Sequence, residues 1–93
     1  MIALLAKMSV VEGREAEFEA VMGELIASVR ANEPGNKLYT LVKNDSGYTV
    51  MELYENQEAL VAHGQSEHFR AAGPKFAGLL AGRPELQQFE VVA

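Results

Sequence analysis

The chain has two histidines, His63 and His68, both in one stretch, AHGQSEHF. Eleven residues before His63 a glutamate, Glu52, interrupts an apolar run, YTVMELYE. Histidine is the side chain that gains or loses a proton near neutral pH. A carboxyl group in apolar surroundings has its pKa raised, which suits it to acid or base work. His63 follows Ala59 by four residues and Leu60 by three, so on a helix it lies on the apolar stripe and points inward. That placement suits a proton shuttle, and it equally suits a structural histidine bonded to a backbone carbonyl; the spacing leaves both open. Glu52 either faces a covered cavity or sits near a rim, paired with a Lys or Arg. His68, beside Phe69 at the head of the next helix, lines the same cavity or is exposed. The two histidines are five positions apart with a helix break between them, which is not a zinc-helix motif, and no metal is expected. Tyr39, Tyr48 and Tyr54 are strand residues of a type that most often packs. Arg70 and Arg83 are available to hold an anionic substrate. There is no Gly-rich phosphate loop, no G-x-S-x-G and no dinucleotide fingerprint.

These residues need elements to position them. Ile2 to Val10 alternates through Ile2, Leu4, Ala6, Met8 and Val10, the pattern of a strand. From Glu12 to Asn32 the period lengthens: Phe18, Val21, Met22, Leu25, Ile26 and Val29 form one stripe of a helix. Glu12, Glu15, Glu17 and Glu19 suit its positive N-terminal end, and NEPG at 32–35 stops it. KLYTLVKN (37–44) and YTVMELYE (48–55) are rich in β-branched and aromatic residues, and NDSG (44–47) joins them as a hairpin with Gly47 in a left-handed position. Asn56 caps a helix running to about His63 and ending near Gly64. Ser66 caps another, carrying Phe69, Phe76, Leu79 and Leu80, with a kink or break at 72–74 because of Pro74. Gly82 and Pro84 end the helical region, and ELQQFEVV (85–92) reads as a last strand. Met8, Met22 and Met51 stand at core-like positions.

The order is βαββαβ, a ferredoxin-like α+β fold with a four-stranded antiparallel sheet and helices on one face. In the hairpin both faces carry apolar side chains: Leu38 and Val42 alternate with Tyr39 and Leu41, and Met51 and Leu53 with Val50 and Tyr54. Helices cover only one face, so a second copy of the sheet is the simplest cover for the other. A homodimer meeting face to face is expected.

Composition narrows the function classes. Ninety-three residues suit one domain, 1–93. The net charge of −5 argues against nucleic acid as a partner. The absence of cysteine excludes disulfides, thiolate nucleophiles and Cys-based metal sites. No run approaches the roughly 20 apolar residues of a membrane span, and the N-terminus lacks the basic region of a signal peptide. A cytoplasmic location is the default expectation.

EPGNKLYTL, MELYENQEAL and AHGQSEHF, in that order, resemble the antibiotic biosynthesis monooxygenase family, quinol monooxygenase-like members included. The residues that carry the resemblance are Glu33, Pro34, Gly35, Tyr39, Glu52, Tyr54, Ala59, Leu60, His63, Ser66, His68 and Phe69. The resemblance spans essentially the whole chain. It implies a dimeric α+β barrel with an apolar cavity between sheet and helices, and oxygenation of a small quinol-like or polyketide-like aromatic without metal, flavin or haem. On that basis His63 and Glu52 are the expected catalytic residues, and Tyr39, Tyr54, His68 and Phe69 the expected substrate-binding ones. Haem-degrading relatives use a tryptophan, as do polyketide-oxidising ones, and this chain has none. The same resemblance admits an isomerase or epimerase of a small phosphorylated sugar-like signal, or a non-catalytic small-ligand-binding stress-response module.

Overall fold

Strand-forming alternation and helix-forming stripes sort the chain into two layers. The computed structural model describes all residues, Met1–Ala93. Strands β1 (Ile2–Met8), β2 (Asn36–Asn44), β3 (Gly47–Tyr54) and β4 (Glu85–Glu90) form one antiparallel sheet in the order β2-β3-β1-β4. Helices α1 (Glu15–Asn32), α2 (Gln57–Gln65) and α3 (Glu67–Ala72), with a short 3-10 turn at Gly73–Phe76, complete the βαββαβ order.

The register decides which side chains meet. Leu4 pairs with Glu52 and Ala6 with Val50 across β1–β3, and Tyr39 pairs with Glu52 and Leu41 with Val50 across β2–β3. With period-2 alternation these residues share one face. On it, Ala6, Tyr39, Tyr48 and Val50 pack against Phe18, Met22, Leu25 and Val29 from the stripe of α1. The opposite face carries Leu38, Val42, Met51 and Phe89, all exposed in the single chain. Both apolar faces of the hairpin are therefore present as the sequence pattern indicates. Met51 is not a core residue, because it belongs to the open set.

Several boundaries move. Helix α1 begins at Glu15 rather than Glu12, because Gly13 takes a positive φ of 88° in the preceding turn. The hairpin closes with Asn44 paired to Gly47; Gly47 has φ 116°, and the Asn44 carboxamide accepts from the Ser46 N–H. Helix structure ends at Phe76, so Leu79 and Leu80 do not lie on a helix. Gly78, with φ 78°, turns the chain there. The Val11 N–H then donates to the Leu79 carbonyl and the Ala81 N–H to the Ser9 carbonyl. Leu80 thus pairs with Val10 in an isolated antiparallel bridge just past β1, and Leu79 is buried next to it. The last strand stops at Glu90 rather than Val92, and all six of its residues are exposed.

Candidate active site

Between the sheet and α2–α3 lies a cavity of about 460 Å³, walled mainly by Leu4, Ala6, Met8, Leu25, Leu60, Phe69 and Phe76. Its polar side chains are Tyr39, Glu52, His63 and Arg83. Arg83 and Leu86 are exposed and mark the open side.

His63 reaches this cavity because the sequence builds a short, well-capped helix beneath it. The Asn56 side chain accepts from the Ala59 N–H at 2.9 Å and starts α2. His63 is the buried residue of that helix, only 4% exposed. Its ring sits among Tyr39, Tyr54 and Phe69, with centroids at 5.2, 5.5 and 4.7 Å. Nδ1 faces the Glu33 carboxylate at 2.9 and 3.1 Å, while Nε2 makes no hydrogen bond within the chain and opens to the cavity. A carboxylate only accepts, so Nδ1 carries the proton and the free lone pair of the neutral ring is on Nε2. This is the arrangement of a positioned general base.

The sequence pattern does not mark Glu33 as a reacting group. It stands just past α1 in the segment that ends the helix, and that punctuation role hides its side chain. The Asn36 N–H donates to the Glu33 carbonyl, closing a turn over Pro34 and Gly35, and the Glu55 N–H donates to the Gly35 carbonyl at 2.8 Å. Helix α2 crosses this turn so closely that a Cβ at Gly35 would lie 2.6 Å from the Ala59 Cβ. The missing side chain is what lets α2 sit near enough for His63 to reach Glu33.

The same carboxylate receives His68. On a continuous helix, residues five apart project about 140° from each other. Here the chain breaks at Ser66, whose extended backbone (φ −67°, ψ 150°) separates the two helices. Its hydroxyl donates to the His63 carbonyl at 2.7 Å and accepts from the Phe69 N–H at 3.3 Å. That bend turns His68 back, so that its Nε2 donates to Glu33 Oε2 at 2.5 Å. His68 does not line the cavity; it lies behind it, towards a polar surface groove that also touches Glu33, Glu58 and Ser66.

Glu52 enters from β3, opposite Leu4 and Tyr39. It is 6% exposed, and burial pushes its carboxyl up to about 7; the nearby Glu33 charge adds to the rise, and the Tyr54 hydroxyl, which donates to Oε1 at 2.6 Å, opposes it. Desolvation and the neighbouring carboxylates raise the Tyr39 and Tyr54 phenols, so both remain neutral donors. Of the residues expected at a site, the structure brings His63, Glu52, Tyr39 and Phe69 to one cavity. Tyr54 stands behind Glu52 and His68 behind Glu33, outside the lining.

The fold is a two-layer α+β sandwich with a largely apolar cavity, entered by one histidine and one perturbed carboxyl. The sequence profile of the antibiotic biosynthesis monooxygenase family matches residues 1–75, and the chain belongs to that family. The solved structure of a candidate antibiotic biosynthesis monooxygenase from Caulobacter crescentus is similar at 37% identity and a TM-score of 0.94, covering 99% of this chain and 90% of that one. A second candidate from Nitrosomonas europaea is 21% identical with a TM-score of 0.84, each chain being covered in full. A Mycobacterium tuberculosis protein shares the fold at 20% identity and a TM-score of 0.88, over 99% of this chain and 95% of that one. A search of curated proteins gave no match. At family level the chain thus stands among monooxygenases. No helix is long and apolar enough to cross a membrane.

Proposed function

We propose that this protein is a monooxygenase that oxidises a small quinol-like or polyketide-like aromatic, with the substrate itself supplying the electrons. The observation that carries this reading is the Glu33–His63 pair: Nδ1 is held by a carboxylate and Nε2 faces an apolar cavity. His63 takes a proton through Nε2 from the substrate's phenolic O–H, or from the activated C–H of a polyketide-like ring, and Glu33 stabilises the imidazolium that forms. The resulting anion adds O2 at a ring carbon, and the proton returned from His63 gives a carbon-bound hydroperoxide. The O–O bond then breaks as that carbon loses its remaining hydrogen as a proton, leaving a carbonyl on the substrate and one water. For a simple quinol the balance is one quinol and one dioxygen to one hydroxyquinone and one water. One oxygen atom enters the product and the other leaves as the water. Glu52, close to half-protonated at neutrality, polarises the substrate oxygen on the opposite wall. Tyr39 and Phe69 hold the ring in place, and the apolar walls exclude water.

The test is oxygen uptake by purified protein with a panel of reduced naphthoquinones and benzoquinones. Uptake is expected in the wild type, with a fall of roughly 10²-fold or more in His63→Ala, the usual scale of a lost general base. No uptake across the panel, or unchanged uptake in the variant, refutes the reading. One observation favours a second reading: Arg83 lines the cavity and could hold a phosphate, as an isomerase or epimerase of a phosphorylated sugar-like molecule would need. That enzyme would turn over equally well without oxygen.

We also infer that two copies pair through the open sheet face. Leu38, Met51 and Phe89, at 43%, 39% and 47% exposed, form an apolar surface that no element of the same chain covers.

A further inference from the structure

We propose that Glu33, His63 and His68 form a binding site for a borderline divalent cation of the Zn2+ type, and that filling it disables His63 as a base. Three potential ligand atoms converge: His63 Nδ1, His68 Nε2 and a Glu33 carboxylate oxygen, all within 4.8 Å of one another. Two imidazoles and a carboxylate are a donor set that suits zinc and the neighbouring transition ions, not calcium or magnesium. With bonds of about 2.0–2.1 Å, ligands at the corners of a zinc tetrahedron are roughly 3.3 Å apart. The two nitrogens lie 2.9 and 2.5 Å from Glu33 Oε2, so each of these two contacts opens by less than about 1 Å to admit the ion, and the nitrogens themselves start within 4.8 Å of each other.

The surroundings suit capture. Glu33 and His68 side chains are 9% and 18% exposed, and both face the polar groove that also presents Asn56, Glu58 and Ser66 to solvent. A hydrated cation can approach from that side without crossing the apolar cavity, and a water from the groove completes the fourth position. Both histidines are also fixed from behind. Ring contacts hold His63, and the bend at Ser66 sets His68.

The consequence follows from the tautomer. Without the ion, Nδ1 of His63 carries the proton and Nε2 is free to accept one. A cation replaces that proton on Nδ1, and the neutral ring then carries its hydrogen on Nε2, where it can only donate. The ion and the base therefore require opposite tautomers of one ring. The site itself stands on geometry; only its effect on turnover rests on the monooxygenase reading.

The test uses tag-free, chelator-treated full-length protein titrated with Zn2+ and followed by calorimetry. One ion per chain is expected, with binding weakened at least 30-fold in both Glu33→Gln and His68→Ala. In wild-type protein the imidazole 15N signals should show Zn2+ on Nδ1 of His63 and on Nε2 of His68, which needs no variant to fold. Absence of saturable binding, equal binding in His68→Ala, or signals that place the ion on other nitrogens overturns the site. Bound Zn2+ that leaves oxygen uptake unchanged overturns the role of His63 as base and leaves the site standing.

Discussion

Glu52→Gln should make the protein more stable, increasingly so as the pH rises above about 4.5. The amide keeps the shape of the side chain and a carbonyl that accepts from the Tyr54 hydroxyl, but it cannot ionise. In the wild type the carboxyl loses its proton near pH 4.5 when unfolded and near 7 when folded. Between those values the folded state holds a proton that the unfolded chain has lost, so raising the pH lowers stability across that window. The cost is absent below about 4.5 and complete above about 7. At 1.36 kcal/mol per pH unit the gap is worth about 3 kcal/mol, an order-of-magnitude figure. For a chain of this length that is roughly 10–20 °C in Tm. The assay is chemical denaturation of both proteins at pH 4.5, 6 and 8, at one fixed protein concentration because association shifts apparent stability. The variant should match the wild type at pH 4.5 and exceed it progressively to pH 8. A difference that is flat across the series would mean that Glu52 is not desolvated in the fold, and the argument for its role on the cavity wall would go with it.

Three further outcomes follow from the geometry. Gly35→Ala drives a methyl into the Ala59 Cβ, should cost about 1–3 kcal/mol in denaturant unfolding, and should lower turnover by lifting His63 away from Glu33; Ala59→Gly in the same chain should recover part of both. Met51→Lys puts a charge in the middle of the open sheet face, and light scattering should show the particle falling from about 20 kDa to the 10.1 kDa of one chain. Asn56→Ala removes the cap of α2 and should cost about 1 kcal/mol by thermal melting, with no change at the sheet.

The parts of the fold that follow from local periodicity were legible in the sequence. The alternation of Leu38 to Val42 and of Tyr48 to Tyr54 gave both faces of the hairpin, and the caps at Asn56 and Ser66 stand where their residue types suggest. The region after Pro74 was not legible. Leu79 and Leu80 continue a helical spacing, yet Gly78 and the backbone bonds to Ser9 and Val11 turn them into a bridge. No local pattern encodes a partner at the far end of the chain. The site shows the same division. His63 was legible as inward-facing from its position relative to Ala59 and Leu60. Glu33 was not, because a residue that ends a helix gives no signal of a side chain aimed at another element 30 residues on. The sequence leaves His68 open between the cavity and the surface, and the bend at Ser66 carries it behind Glu33.

Strand β4 is exposed along its whole length and bonds to the sheet only through β1. The segment leading into it supplies Arg83, and the strand itself Leu86, to the open side of the cavity. In an unpaired chain, as in Met51→Lys, its amide protons should therefore exchange with solvent well before those of β3, since local opening there exposes little buried surface. The groups that hold His63 lie just past α1, on β2 and β3, and on α3, and take no part in such an opening. In a single chain the cavity thus has a soft wall and a rigid one, and pairing through the sheet face would stiffen the soft wall while leaving Glu33 and His63 as they are.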